Sequence, residues 1–314
     1  MTAQRSEQLG TKGYLDAFPS QAPHDLGATG ALFSCPICDG ATRRLFRKHG
    51  YWIRSCDVCR HQWVEITPSP GHIKAVYNDL YFQGDGAGYP DYLSEGQILQ
   101  NRGRWYSRLL ARYMAPGTLL DIGTAAGFVL RGFLDEGWNG KGIEPNARMA
   151  EFARTRLGLP VDTGTLEEFQ TGDRYDVISM IQVVAHFVHP RRAFRAAAEV
   201  TRPAGFWLIE TWNRESLTAR ILGKHWHEYS PPSVLHWFSA QGLGGLAAQF
   251  GFREIARGRP MKWISGAHAK SLLQYNFQDS RLARLAAATV RVIPDGLAIP
   301  YPAEDLFWAL FQKL

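Results

Sequence analysis

Several absences narrow this chain before any motif is considered. No stretch approaches the roughly 18 apolar residues of a membrane span, and no seven-residue apolar run follows the first basic residue, Arg5, as a secretion signal would need. A cytoplasmic protein without a membrane span is expected. Internal repeats and long low-complexity tracts are also missing, which leaves no basis for a repeat array. Charge of one sign is not abundant: 35 basic against 29 acidic residues give +6, an excess that does not by itself name a polyanionic partner. Cysteine is scarce, with only four in 314 residues, all within one short stretch. What is present is the balance of a globular protein with a real core: 45% apolar and 20% charged residues, in a chain long enough for a sizeable domain and a minor one.

Residues 1–30 are rich in Gly, Gln, Ser, Thr and Ala with few apolar residues at any period, so a flexible leader is expected. Residues 31–70 hold the cysteines and end at a Pro-Ser-Pro stop, as a small separate module would. Residues 71–115 read as a helical lead-in whose Gly-rich stretch, 83–88, could act as a lid. Residues 116–314 form the main domain. There, short apolar strands alternate with helices, which signals a parallel sheet built from βαβ units. Strands are expected at 118–122, 140–144, 175–180 and 206–211, after Gly251, and at 305–313. Helices are expected at 128–136, 147–157, 191–201 and 240–250, with an inserted helix at 271–290. Pro203-Ala-Gly205 should turn the chain into the fourth strand. The fold class is therefore α/β and doubly wound.

In such a sheet, ligands bind beyond the C-terminal strand ends, where the first strand turns into its helix. The run Leu119-Leu-Asp-Ile-Gly-Thr-Ala-Ala-Gly127 has that layout: Asp121 ends an apolar strand, and Gly123 and Gly127 permit a tight turn and close approach. The next strand ends in Ile143-Glu-Pro-Asn146, which places Glu144 where it could accept hydrogen bonds from both hydroxyls of a ribose. A nicotinamide dinucleotide would call for G-x-G-x-x-G, and this loop has only G-x-x-x-G. Cys35-Pro-Ile-Cys38 and Cys56-Asp-Val-Cys59 are two C-x-x-C knuckles separated by seventeen residues, the spacing of a zinc ribbon. Four thiolates would close the site, so the zinc would be structural. Disulfides or idle thiols are the alternative, and a cytosolic setting argues against disulfides.

Taken together, residues 72–314 resemble the class I S-adenosylmethionine-dependent methyltransferases. The resemblance implies a Rossmann-like, seven-stranded, mostly parallel sheet with helices on both faces. It implies that Asp121, Gly123 and Gly127 surround the methionine part of S-adenosylmethionine and that Glu144 is the ribose-binding acid. Thr165 and Leu166 match the segment near the adenine, and Gln182 falls just past the motif strand begun by Asp176. Ala125 stands where many members have a middle glycine, and an alanine there suits ordinary backbone angles.

Methyl transfer requires an aligned acceptor and, for a hydroxyl or acidic carbon, a base. His186 in Val183-Val-Ala-His-Phe-Val-His-Pro190 matches the histidine of the family's V-L-E-H-V-x-D-P, with Ala185 and His189 replacing its acids. Gly223-Lys-His-Trp and Pro231-Pro-Ser-Val-Leu-His-Trp-Phe-Ser239 resemble G-K-R-W and P-P-H-H-L-H-F-F-S of glycan and natural-product methyltransferases. Ser233 and Val234 replace histidines there, which leaves His225, His227, Glu228 and His236 as further candidate bases. Tyr81-Phe82 and Gly88-Tyr-Pro-Asp-Tyr92 resemble the Y-F and G-Y-x-D-Y elements of the same subgroup.

The expected activity is methylation of a small-molecule or glycan-like acceptor in a biosynthetic pathway, on oxygen first, with nitrogen or carbon also open. The alternative partner is nucleic acid: Arg43, Arg44, Arg47, Lys48, Tyr51, Trp52 and Arg54 could let the cysteine module read RNA, as in rRNA methyltransferases that carry such a ribbon. A non-catalytic protein that keeps the fold is the third reading, and the intact loop and acid argue against it. Neither the acceptor nor the oligomeric state is legible at this stage.

Overall fold

A computed structural model describes residues 34–68, 71–77, 92–267, 270, 294–301 and 303–314. The leader, the Gly-rich lid at 83–88 and the inserted helix at 271–290 lie outside the described residues.

The cysteine module supplies β1 (Thr42–Lys48), β2 (Tyr51–Cys56) and β3 (Gln62–Val64). The lead-in gives α1 (His72–Val76) and α2 (Gly96–Leu110). Then follow β4 (Thr118–Ile122), α3 (Phe128–Leu134), β5 (Asn139–Glu144), α4 (Ala147–Leu157), β6 (Val161–Thr163), β7 (Tyr175–Ile181), α5 (Pro190–Val200) and β8 (Thr201–Trp212). The remaining elements are α6 (Leu217–Leu222), β9 (His236–Trp237), α7 (Ala240–Ala248), β10 (Phe252–Gly258), β11 (Lys262–Ser265), β12 (Ala298–Tyr301) and β13 (Leu306–Lys313).

The main sheet has seven strands in the order β10-β13-β8-β7-β4-β5-β6. Pairings from β8 through β6 are parallel, and β13 runs antiparallel to both its neighbours. This is the expected Rossmann-like, mostly parallel fold. Alternation along the strands divides the core between two faces. Leu120, Ile178, Trp207 and Ile209 pack with Phe194 and Ala197 of α5 and with Leu243 and Leu246 of α7. Leu119, Val177 and Leu208 face α2, α3 and α4 through Tyr106, Leu130, Phe133 and Ala150. Helices α2 and α3 cross at glycines: a Cβ on Gly103 would lie 2.1 Å from the Val129 carbonyl oxygen. Helix α4 begins where Asn146 accepts from the Met149 N–H at 2.9 Å and stops at left-handed Gly158.

Two expectations need correction, and two features carried no sequence signal. Pro203-Ala-Gly205 does not precede the fourth strand but lies within it. Tyr175 pairs with Thr201 and Val177 with Phe206, so the extra residues form an irregularity centred on Ala204, with φ 59°. The three-residue β6 had no separate signal, because a strand that short carries no measurable alternation. The helix expected at 128–136 ends at Leu134, ahead of Gly137 with φ 90°. The cysteine module joins the main domain through backbone pairing that no local pattern announced. Its strands continue into β9, a piece of the main domain, in a four-stranded sheet β1-β2-β3-β9, and Cys35, Ile37, Cys56 and Trp63 belong to the same apolar cluster as Leu120 and Phe238.

Candidate active site

The turn from β4 to α3 is held by its neighbour strand. Gly123 and Thr124 donate their N–H groups to the Ile143 carbonyl at 2.9 and 3.1 Å. Gly127 takes φ 87°, and a Cβ there would lie 2.5 Å from Leu159, so both backbone and space demand glycine. Ala125 departs from the expectation of ordinary angles: its φ is 49°, in the left-handed region. Glu144 explains how that conformation is held. One carboxylate oxygen accepts from the Ala125 N–H and the other from the Asn146 N–H, each at 2.7 Å.

Glu144 and Asp121 are both buried. Asp121 accepts from Ser179 Oγ at 2.5 Å and Thr124 Oγ1 at 2.6 Å. Burial pushes the Asp121 carboxyl up to about 6 against these donors. Burial, with the Asp121 charge adding to it, pushes Glu144 up to about 7. Among the described residues, no basic side chain pairs with either acid. A ligand that carries hydroxyl donors and positive charge would supply what they lack. Thr165 and buried Leu166 begin the turn after β6, beside Glu144, whose carbonyl accepts from the Gly164 N–H at 3.0 Å. Gln182 follows β7 with φ 57°, its backbone N–H on the Glu210 carbonyl and its amide on the Glu210 carboxylate at 2.9 Å.

Glu210 was not among the sequence candidates. It is fully buried and also bonded by Arg102 and Tyr106. Its sequence signal was an acid inside the otherwise apolar run Phe206-Trp-Leu-Ile-Glu210. Burial of such a carboxylate is tolerated because three donors converge on it.

The five candidate bases are separated by the fold. His186 is half-buried, its Nδ1 2.7 Å from Tyr77 Oη and 2.9 Å from the Ser233 carbonyl oxygen. Burial lowers its pKa against the pull of the Ser233 backbone and the Glu228 charge. Tyr77 donates to the same Ser233 carbonyl at 2.6 Å, and its own carbonyl accepts from Asn146 Nδ2 at 2.8 Å, so it bridges the Glu144 loop and the His186 turn. His227 lies 3.3 Å from Glu228 and 3.8 Å from Asp305, edge-on to Trp212. Asp305 accepts from Trp226 Nε1 at 2.9 Å. His225 is exposed on the turn 223–225. His236 is buried against His61, ring nitrogens 3.0 Å apart, and burial lowers its pKa to about 3. The fold thus gathers His186, Glu228 and His227, and leaves His225 in solvent and His236 in the seam with the cysteine module.

Ligand atoms of Cys35, Cys38, Cys56 and Cys59 all lie within 4.8 Å of one another. The Cys35–Cys59 and Cys38–Cys56 sulfurs are 3.6 and 3.5 Å apart, close to the roughly 3.8 Å edge of a tetrahedron with 2.3 Å zinc–sulfur bonds. Backbone N–H groups point at the sulfurs as they do toward thiolates: Ile37 to Cys35 at 3.4 Å, and Val58 and Cys59 to Cys56 at 3.3 and 3.4 Å. The donor set fits a structural zinc. Part of the basic patch beside it is paired with acids. Arg43 pairs with Asp57, Arg44 and Arg54 share Glu65, and Arg44 and Arg47 stack over Trp52 with centroid distances of 5.1 and 4.9 Å.

Comparison with known proteins gives one family model, described as a methyltransferase domain, that matches residues 97–256. A ubiquinone biosynthesis O-methyltransferase of Azorhizobium caulinodans is 32% identical over 127 residues, 38% of this chain and 47% of that protein. Another with the same name, from Methylobacterium nodulans, is 31% identical over 114 residues, 34% of this chain and 46% of that one. The chain thus spans about half the length of these curated relatives. Among solved structures, a possible histamine N-methyltransferase from Thermotoga maritima is similar at 20% identity and a TM-score of 0.44, covering 69% of this chain and 91% of its own.

Proposed function

The chain belongs to this methyltransferase-domain family, and from that premise we propose that it methylates a small-molecule or glycan-like acceptor with S-adenosylmethionine, on oxygen in preference to nitrogen or carbon. One observation carries the reading: Glu144 is a buried acid at the end of β5, aligned by the Ala125 and Asn146 N–H groups. Each oxygen keeps a lone pair for a ribose hydroxyl. The name of the curated relatives, ubiquinone biosynthesis O-methyltransferase, supports oxygen as the accepting atom.

Bound at Asp121, Gly123, Gly127, Glu144, Thr165, Leu166 and Gln182, S-adenosylmethionine would supply an electrophilic methyl group. The protein's own work is to orient the acceptor, exclude water and take the acceptor's proton. His227 is the proposed base, because its ring is only half-buried and Glu228, 3.3 Å away, stabilises the imidazolium that forms. His186 is the proposed orienting group, tied to Ser233 and Tyr77. His225 and His236 take no part in that step. Cys35, Cys38, Cys56 and Cys59 would hold a zinc ion whose contribution is to folding. Cytoplasmic residence remains part of the proposal. Among the described residues, no helix is long and apolar enough to cross a membrane.

The test is cofactor affinity at about pH 8. Glu144→Ala should weaken S-adenosylmethionine binding at least about 100-fold, since each hydrogen bond to a charged group contributes about 1.5–3 kcal/mol. Unchanged affinity would remove Glu144 from the site. Methyl-labelled cofactor, offered with separate metabolite, glycan and RNA fractions, identifies the acceptor class. Label appearing only in RNA, with binding that weakens steeply with salt, would replace this reading by the nucleic-acid one.

A further inference from the structure

The segment between β8 and α7 carries His227 and Glu228 and returns to the His186 turn at Ser233. It has little regular structure of its own. Within 224–238 lie part of the one-turn helix Gly223–His225 and the two-residue β9. Several of its fixed points are supplied by the cysteine ribbon, beside those that Asp305, His186 and Ala185 provide. Gln62 pairs with Trp237 and Trp63 with His236 in the β3–β9 ladder. The Val64 N–H donates to the Leu235 carbonyl at 3.0 Å, while the Leu235 N–H donates to the Ala185 carbonyl at 2.9 Å. One residue thus joins the ribbon to the turn after β7. Tyr229 donates its hydroxyl to Gln62 Oε1 at 2.6 Å and stands edge-on to Phe46 at 5.0 Å. His236 meets His61 at 3.0 Å. Ile53 and Val64 of the ribbon share one apolar cluster with Trp226, Tyr229, Val234, Leu235 and Trp237.

Among the described residues, no hydrogen bond ties the ribbon to the cofactor loop; Cys35, Ile37 and Trp63 share only an apolar cluster with Ile122 and Ile143 of the strands that carry it. The backbone N–H groups of Gly123, Thr124 and Ala125 take their partners from Ile143 and Glu144, within β5, and Asn146 bonds to Glu144 and, through its side chain, to the Tyr77 carbonyl.

We propose that the four-cysteine ribbon is the template on which the acceptor-facing segment 226–238 folds, with Gln62 as a positioning residue, so that the metal governs the acceptor wall and not the cofactor loop. The idea rests on the methyltransferase reading and on zinc at the four thiolates. A ribbon of three short strands holds its shape through the metal. Its loss would release the β3–β9 ladder, and with it Tyr229, Leu235 and the neighbours of His227.

The experiment compares zinc-loaded and chelated full-length protein by hydrogen–deuterium exchange, with S-adenosylhomocysteine binding measured on the same samples. Chelation should speed exchange across 226–238 at least about tenfold, while 118–127 and 139–146 stay protected and S-adenosylhomocysteine affinity changes less than about threefold. Unchanged protection of 226–238 would overturn the proposal. So would a parallel loss of cofactor affinity, because the ribbon would then serve the whole fold. Gln62→Leu leaves the cysteines intact and should speed exchange in 226–238 with full zinc content; unchanged exchange there would remove Gln62 as a positioning residue. Failures of the underlying readings are seen separately. Loaded protein without stoichiometric zinc overturns the metal assignment, and absence of methyl transfer to any acceptor overturns the activity, whatever the exchange pattern.

Discussion

The loop between β4 and α3 and the segment between β8 and α7 approach the same end of the sheet, yet they are stabilised by different means. The first is local: its N–H groups find partners in the adjacent strand, and its acid, Glu144, is nineteen residues from the alanine that it holds. The second is borrowed. Trp226 bonds to Asp305, Tyr229 to Gln62 and His236 to His61, across separations of 79, 167 and 175 residues. A donor site shared by a whole family can be built from short-range geometry, whereas an acceptor site particular to one protein is assembled from distant pieces that can change independently.

Three expectations can break or sharpen that contrast. The largest effect is expected on the borrowed side. His227→Ala should lower kcat by about 10²–10⁴, the usual contribution of a general base, and leave S-adenosylhomocysteine affinity untouched. Wild-type turnover in that variant would remove His227 as the base, and a parallel loss of cofactor binding would mean that the two regions are not separable.

The second expectation concerns the acids of the local side. Glu144 has a folded-state pKa of about 7, above its ordinary value of 4.5, so the native protein holds a proton that the unfolded chain has released. Unliganded stability contributed by this group is therefore full below the ordinary value and is lost as pH rises through about 7. With Glu144 as the proposed ribose acid, cofactor binding runs the other way, because the hydroxyls need the ionised carboxylate. S-adenosylhomocysteine affinity should rise about tenfold between about pH 6 and pH 8, one protonation linkage, and Glu144→Gln should flatten the profile. A flat profile in the parent protein would mean that the carboxylate is already ionised at the lower pH.

The smallest effect concerns Ala125. Its left-handed φ costs an alanine about 1–2 kcal/mol, and glycine would give back about 0.4–1 kcal/mol through the freer unfolded chain. Ala125→Gly should be stabilising by less than about 1 kcal/mol in denaturant titration. Clear destabilisation would show that the alanine methyl makes contacts worth more than the strain.

Much of the main domain was legible before folding was known. The strand at 118–122, the helix at 147–157 and the acid at 144 follow from short apolar runs alternating with helical stretches and from glycine placement, all of which act within a few residues. The four cysteines were legible for the same reason, since C-x-x-C brings two sulfurs to one turn. Neither the irregularity at Ala204 nor the three-residue β6 could be read, because both depend on the register imposed by neighbouring strands. Glu210 illustrates the limit most clearly. Its acid was visible in an apolar run, but its partners Arg102, Tyr106 and Gln182 come from two other elements.

By itself, then, the sequence determined a doubly wound domain, a loop and acid suited to one kind of cofactor, and a four-thiolate cluster. Each is written in short-range spacing, where backbone geometry leaves few alternatives. Only the tertiary structure decided that the cysteine ribbon is continuous with the segment carrying His227, that His186 meets Tyr77 at Ser233, that His225 lies in solvent and that His236 is buried against His61. Those outcomes depend on which distant surfaces can bury apolar area together and satisfy each other's polar groups, a choice made by packing that no local pattern encodes.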